Sequence, residues 1–207
     1  MALSQAQVTE QKKQVEELLG PDLDKLGFAK SIFFGRFRGD LLFPYPVLSP
    51  DMQAQADASA AQVQRFCEEQ IDDVKIDREA RIPDEVVRGL ADLGVLGMTI
   101  PKEYGGLGFN QQQYLRTMEI LGGHCASTAV FVNAHHSIGC RALILFGTKE
   151  QQERWLPGLL SGTKLAAFAL TEPEAGSDAG GVRTTATPIE EGGAFLLNGM
   201  KHYITNG

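Results

Sequence analysis

Ala166-Ala167-Phe168-Ala169-Leu170-Thr171-Glu172-Pro173-Glu174-Ala175-Gly176-Ser177-Asp178-Ala179-Gly180-Gly181 is the stretch on which the reading of this chain turns. It opens as a short apolar run of strand length and passes into a loop with two hydroxyls, three carboxylates and three glycines. Glycines let backbone approach a ligand closely, and successive exposed amides can cradle a phosphate or a carbonyl oxygen. Hydroxyls add single, adaptable hydrogen bonds. On composition alone the same stretch also reads as a polar connection between strands. It is neither a GxGxxG nor a Walker loop, so it lends no support to Rossmann or P-loop binding.

Downstream, the β-branched run 182–187, the apolar run 194–197 after a Gly192-Gly193 turn, and Tyr203-Ile204-Thr205 predict further short strands. Four short strands neither close a sheet nor bury both faces, and the chain stops on a strand-turn signal, Asn206-Gly207. The opening of a truncated β-domain is therefore expected. Upstream the pattern is helical. Residues 3–19 predict a polar opening helix ended by Gly20-Pro21. At Ser49-Pro50-Asp51 Ser caps, Pro suits the first turn and Asp complements the dipole; Ala60, Val63, Phe66, Cys67 and Ile71 then recur at helical spacing. Pro83-Asp84-Glu85 opens another helix, carrying Val86, Val87, Leu90 and Leu93 and stopped by Gly94. The pattern continues over 110–122 and 126–146, the latter apolar nearly all round and so expected to be buried on several faces. Thr148 and Gln151 have capping-box spacing before a short helix expected to end at Pro157-Gly158.

Composition narrows the function classes. With 207 residues, 43% hydrophobic and 22% charged, the chain has ordinary globular usage and is not disordered throughout. A net charge of −7 argues against a basic nucleic-acid-binding domain. No apolar run approaches the ~18 residues of a membrane-spanning helix. Cys67, Cys125 and Cys140 have no CxxC or Cys/His metal spacing and read as buried or free thiols of a reducing compartment. The start, MALSQAQVTEQKK, shows neither a secretory nor a transit signal, so a soluble, cytoplasmic protein is expected. His135 and His136 are neighbours, about 100° apart on a helix, and cannot both face one metal. His124 and His202 are isolated and no HExxH occurs, so a structural role is expected and no metal site.

Four segments together resemble the acyl-CoA dehydrogenase family. Ala167 through Asp178 closely resembles the family's signature stretch. Ile100-Pro101-Lys102-Glu103-Tyr104-Gly105-Gly106-Leu107-Gly108 is similar to its Pro-Glu-Tyr-Gly-Gly-x-Gly turn. Phe146-Gly147-Thr148-Lys149-Glu150-Gln151 through Trp155-Leu156-Pro157 is similar to its Gly-Thr-x-x-Gln-x-x-x-Tyr-Leu-Pro segment. Leu197-Asn198-Gly199 through Lys201 and Tyr203-Ile204-Thr205-Asn206-Gly207 is similar to its Asn-Gly-x-Lys-x-Trp-Ile-Thr-Asn-Gly strand, with Tyr203 in place of Trp. Phe28-Ala29-Lys30 through Phe43-Pro44-Tyr45-Pro46, Lys75-Ile76-Asp77 and Ile82-Pro83-Asp84 resemble the very-long-chain branch; His135-His136 departs from the single His expected there.

The resemblance implies a mostly α fold: an N-terminal extension over 1–50, a helical domain over 51–165, and the truncated start of a middle β-barrel domain over 166–207, with a C-terminal helical domain absent. It implies FAD-dependent α,β-dehydrogenation of long-chain fatty acyl-CoA to trans-2-enoyl-CoA in β-oxidation. Phe168, Ala169, Leu170, Thr171, Gly176 and Ser177 would line FAD, Thr171 and Thr205 would hydrogen-bond the isoalloxazine, Tyr203 would pack against the ring system, and Ile204 would also bind the cofactor. Ser177 would reach the FAD pyrophosphate or the acyl-CoA. The base would be a Glu of the C-terminal domain, so no catalytic residue is expected here and the fragment alone is expected to be inactive; Glu172 and Glu174 are expected to be structural or solvent-facing. Electron-transfer flavoprotein as acceptor and a homodimer or homotetramer are further implications.

Residues 28–45 hold six of the sixteen aromatics, interleaved with Lys30, Arg36 and Arg38. Such a segment suits peripheral membrane association, a partner, or the chain's own subunit. Competing functions are an acyl-CoA oxidase and a non-catalytic helical module that binds acyl-CoA or a partner without flavin.

Overall fold

The computed structural model describes residues 9–10, 13–14, 25–189 and 193–207. Most of the helix expected over 3–19, its Gly20-Pro21 stop and Gly192 of the expected turn lie outside the described residues. The chain divides into two compact units, Met1–Val47 and Leu48–Gly207.

In the first unit, α1 (Phe28–Phe33) is followed by Gly35 at φ +74, a conformation that glycine adopts without steric cost. A 3₁₀ turn, Gly39–Leu41, comes next, beside an Arg38–Asp40 ion pair of 2.6 Å. Phe28 and Phe37 meet edge to face, while Phe33, Phe37, Phe43 and Tyr45 remain exposed.

The second unit starts where capping chemistry places it. Ser49 Oγ accepts the Met52 amide at 3.3 Å, with Pro50 in the first turn of α2 (Pro50–Gln70). Asp72 caps α3 (Asp73–Glu79) through the Lys75 amide. Next come α4 (Asp84–Asp92), a 3₁₀ turn Val95–Gly97, and α5 (Gln111–His124), which opens on a reciprocal Asn110–Gln113 capping box. A continuous helix follows: α6 (Ala126–Ala134), a π-helical turn His135–Cys140, and α7 (Arg141–Phe146). The expected Thr148–Gln151 box opens α8 (Lys149–Leu160).

The interior faces of α2, α4, α5 and α6 bury Val63, Leu90, Leu121 and Val132 in one core, joined by Leu96 and Met98. Ile100, Cys140, Leu156 and Leu159 form a second. Cys67, Cys125 and Cys140 are free and buried, as expected; burial pushes the Cys67 thiol up to about 11 and Cys140 to about 12, far from thiolate chemistry.

Three helical expectations need correction. First, α8 continues through Pro157 to Leu160. The ring forfeits one amide, but Leu156 and Leu159 are buried one turn apart on the same face, and their burial carries the helix onward. Second, the 21 residues Ala126–Phe146, with hydropathy 1.3, do meet the length and composition of a membrane span. Averaging over the helix hides Asn133, His135, His136 and Ser137. Third, only 33% of that stretch is buried: α3, α5 and the Val95–Gly97 turn cover one side, leaving Val130, Ile138, Leu145 and Phe146 exposed.

The β portion is also smaller than expected. β1 (Thr185–Pro188) and β2 (Phe195–Asn198) pair antiparallel, Thr185 opposite Asn198 and Pro188 opposite Phe195, with all eight residues exposed. Residues 166–170 and 203–205 do not form strands. Tyr203 takes φ +57 and Asn206 φ +64, which breaks the pleat and deprives the first segment of a regular ladder partner. Gly199 is required where the ribbon closes on itself, because a Cβ there would collide with Thr184.

Gly106 packs against the Ile100 carbonyl with no room for a Cβ, whereas Gly123, within α5, has open space around it. Gly106→Ala should cost about 1–3 kcal/mol, and Gly123→Ala should add about 0.5–1 kcal/mol of stability. Denaturation midpoints at unchanged slope check both, and equal shifts would contradict the packing described.

Candidate functional site

Residues 166–171 run beside 202–206 in the opposite direction. The His202 amide donates to the Thr171 carbonyl at 2.9 Å, and at the other end Asn206 Nδ2 donates to the Ala166 carbonyl at 3.4 Å. Just outside the His202 end, Lys201 Nζ donates to the Leu170 carbonyl at 2.9 Å. Two segments singled out separately in the sequence therefore form one edge, with Phe168, Ala169, Leu170 and Thr171 alongside Tyr203, Ile204 and Thr205. Much of it is open: Phe168 is 45% exposed, Leu170 38% and Tyr203 92%. The hydroxyls of Thr171, Ser177 and Thr205 have no side-chain hydrogen-bond partner among the described residues.

A buried carboxylate ties this edge to the ribbon. Glu172 accepts from the Arg183 amide at 2.7 Å, the Thr184 amide at 2.9 Å, the Thr184 hydroxyl, and Lys201 Nζ at 2.9 Å. Donors of this kind favour the charged form, with the Thr184 hydroxyl foremost, and they push the Glu172 pKa down to about 2. Glu172 and Ala175 exchange both backbone hydrogen bonds, at 3.0 and 3.2 Å, so Pro173-Glu174 turns tightly. Glu174 is exposed on the turn, and Gly176 and Ser177 stand beyond it on an exposed loop. Among the described residues no hydrogen bond links Gly176 or Ser177 to Tyr203, Ile204 or Thr205.

One end of the edge meets the helices. An open cleft of about 870 Å³ is lined by Leu165, Thr205 and Asn206 on one side and by Ile82, Val130 and Phe131 on the other. Asn206 Nδ2 reaches across to the Phe131 carbonyl at 3.1 Å. Of the sequence-predicted site residues only Thr205 lines this cleft; the edge carries six others beside it, and Gly176 and Ser177 lie apart.

The neighbouring histidines have the structural role expected of them. His136 donates from Nε2 to the Val95 carbonyl at 2.6 Å and accepts from the Thr99 hydroxyl at Nδ1, 3.2 Å away. His135 accepts the Ala166 amide at Nδ1. Burial lowers both pKa values, that of His135 to about 4. Sequence reasoning did not single out Lys201, Asn206 or the His135–Ala166 contact as parts of the site. The signals were a lysine and an asparagine inside one motif, but their partners lie 29 and 75 residues away in sequence.

Because the folded pKa of Glu172 lies below its ordinary value, its contribution to stability is present above about 4.5 and is lost as pH falls toward about 2. Glu172→Gln should therefore lower the melting temperature at neutral pH and flatten the acid limb across that window. A variant with the wild-type acid limb would remove Glu172 from this role.

The pattern described as acyl-CoA dehydrogenase, N-terminal domain, matches residues 53–163, and acyl-CoA dehydrogenase, middle domain, matches 167–207. The chain is 42% identical over 181 residues to the mouse very long-chain specific acyl-CoA dehydrogenase, a mitochondrial protein, covering 87% of this chain and 28% of the relative. It is 42% identical over 206 residues to a probable acyl-CoA dehydrogenase of Mycobacterium tuberculosis, covering 98% of this chain and 31% of the relative. The crystal structure of a Bacillus anthracis acyl-CoA dehydrogenase complexed with FAD superposes with a TM-score of 0.61 at 33% identity, over 76% of this chain and 26% of that one. The chain thus spans less than a third of the length of these relatives. With both domain patterns matched in order, the chain belongs to the acyl-CoA dehydrogenase family.

Proposed function

We propose that this chain supplies the helical wall and the flavin-contacting edge of an FAD-dependent dehydrogenase that converts long-chain fatty acyl-CoA to trans-2-enoyl-CoA. The observation that carries the reading is the apposition of 166–171 and 202–206, which puts Thr171 and Thr205 on one edge beside the cleft. The edge fits a flat, partly apolar, partly polar group: its two threonine hydroxyls have no intramolecular side-chain partner among the described residues, and Phe168 and Tyr203 expose aromatic surface. FAD bound there supplies a hydride acceptor for the substrate β-carbon.

The residues' own contributions follow from their chemistry. Thr171 and Thr205 donate hydrogen bonds to the ring edge where negative charge accumulates, and fixed donors there cost no reorganisation at the moment of reaction. Tyr203 offers a ring face for stacking, with less area than the Trp of the family pattern. Ser177 and the Gly176 backbone suit the pyrophosphate or the acyl-CoA. The cleft between Thr205 and Phe131 takes the apolar acyl part against Ile82, Val130 and Leu165.

Glu172 is not the α-proton acceptor. A carboxylate held at about 2 by four donors is a poor base. Proton abstraction is assigned instead to a Glu of a C-terminal helical domain. Electron-transfer flavoprotein as acceptor, a homodimer or homotetramer and a cytoplasmic location complete the reading; residues 166–207 are then the first part of a middle β-domain.

The intact protein should show the near-ultraviolet and blue absorbance of an oxidised flavin, bleached by palmitoyl-CoA under nitrogen. A colourless protein that still binds acyl-CoA would replace this reading with a flavin-free binding module, and rapid oxygen consumption would make it an oxidase. Thr205→Val should lower kcat by about 10- to 1,000-fold, and unchanged turnover would remove its role. Ser177→Ala should weaken FAD or acyl-CoA binding by ~1–2 kcal/mol; unaltered affinity for both would overturn that contact.

A further inference from the structure

The proposed flavin edge is gripped from the helical side by one wide turn. The Ala166 amide, at the start of the edge, donates to His135 Nδ1 at 3.2 Å. An amide can only donate, so Nδ1 is the bare nitrogen and the ring proton sits on Nε2, which faces Cys140 Sγ at 3.4 Å. The ring is fully buried, and at about 4 its pKa keeps it a neutral acceptor at physiological pH. Ala166 also packs directly on the same turn at Gly139, where any Cβ would collide with it. Four residues before His135, the Phe131 carbonyl holds Asn206 Nδ2 at 3.1 Å, and that amide nitrogen also reaches the Ala166 carbonyl. Both halves of the edge are thus fastened to adjacent turns of one helix.

The contacts to the edge and to the helical core converge on this turn. Residues four apart share a helix face, so His135 and Gly139 meet Ala166 together, while the adjacent His136 points elsewhere and is buried against Val95 and Thr99, all within the π-helical turn His135–Cys140. Such turns recur at functional sites. We propose that this π-helical turn aligns the edge, with His135 a positioning residue that sets where Thr171 and Thr205 present their hydroxyls to FAD. The inference rests on the flavoprotein reading above.

The test compares His135→Asn, His135→Gln and wild type in the intact, FAD-loaded protein. Asn places an amide oxygen close to where Nδ1 stands, whereas Gln carries its oxygen toward the position of Nε2. His135→Asn should keep the wild-type flavin spectrum, FAD affinity and slow amide exchange at Ala166. His135→Gln should accelerate that exchange, shift the flavin band and weaken FAD by about tenfold, the loss of one buried hydrogen bond. Asn206→Asp tolerates the same backbone but cannot donate to Phe131, and it should reproduce the spectral shift even if His135→Gln does not fold. Equal damage from Asn and Gln would reduce His135 to ring packing and overturn the proposal. So would faster exchange at Ala166 with flavin binding, spectrum and potential unchanged. A wild-type protein without FAD would fail the flavoprotein reading and take the positioning role with it, whereas identical flavin properties in all variants would overturn His135 alone.

Discussion

Burial of the Glu172 carboxylate is the constraint on which the non-helical part of this chain depends. An ionised group removed from water has to be compensated, and here both oxygens are used. The donors come from the residues just before β1 and just after β2, so satisfying one side chain fixes where the ribbon begins and ends. Lys201 extends this link to the Leu170 carbonyl, next to Thr171. The ribbon itself has both faces exposed and contributes little burial. Polar satisfaction, more than apolar packing, is what orders it.

The helices rest on different physics. Their caps are local, their cores are two apolar clusters, and the helix over Ala126–Phe146 buries His135 and His136 in a single turn. That turn is where the two regimes meet. His135 faces the Ala166 amide and His136 faces Val95 and Thr99, so one buried pair of neutral imidazoles joins the apolar layer to the polar edge. The cleft at this junction mixes apolar Ile82, Val130 and Phe131 with Asp77, Arg81 and Asp84 on the helical side, facing Thr205 and Asn206.

Helix starts were legible because their chemistry spans only three residues: Ser49 with Met52 and Thr148 with Gln151 are visible in any printed sequence. The end of α8 was not, because Pro157 is a local stop signal and the burial of Leu159 against Ile100 is not local. The burial of Ala126–Phe146 was overestimated for a similar reason: composition counts apolar residues, while neighbours decide which of them are covered. Two of the four expected strands failed because strand propensity says nothing about whether a ladder partner lies alongside, and Tyr203 and Asn206 turn the second segment out of the pleat.

For the site, the sequence by itself determined the kinds of groups available and the family to which they belong. Thr171, Ser177, Thr205 and the aromatic positions are identities within short motifs, and identities survive without a structure. Only the tertiary structure decided that 166–171 and 202–206 lie side by side, that Glu172 is the buried tie between them and the ribbon, and that Asn206 and His135 fasten both segments to the helix. Those relations join residues 29 to 75 positions apart. They are set by which buried polar groups find partners in three dimensions, a condition that no local window of sequence contains.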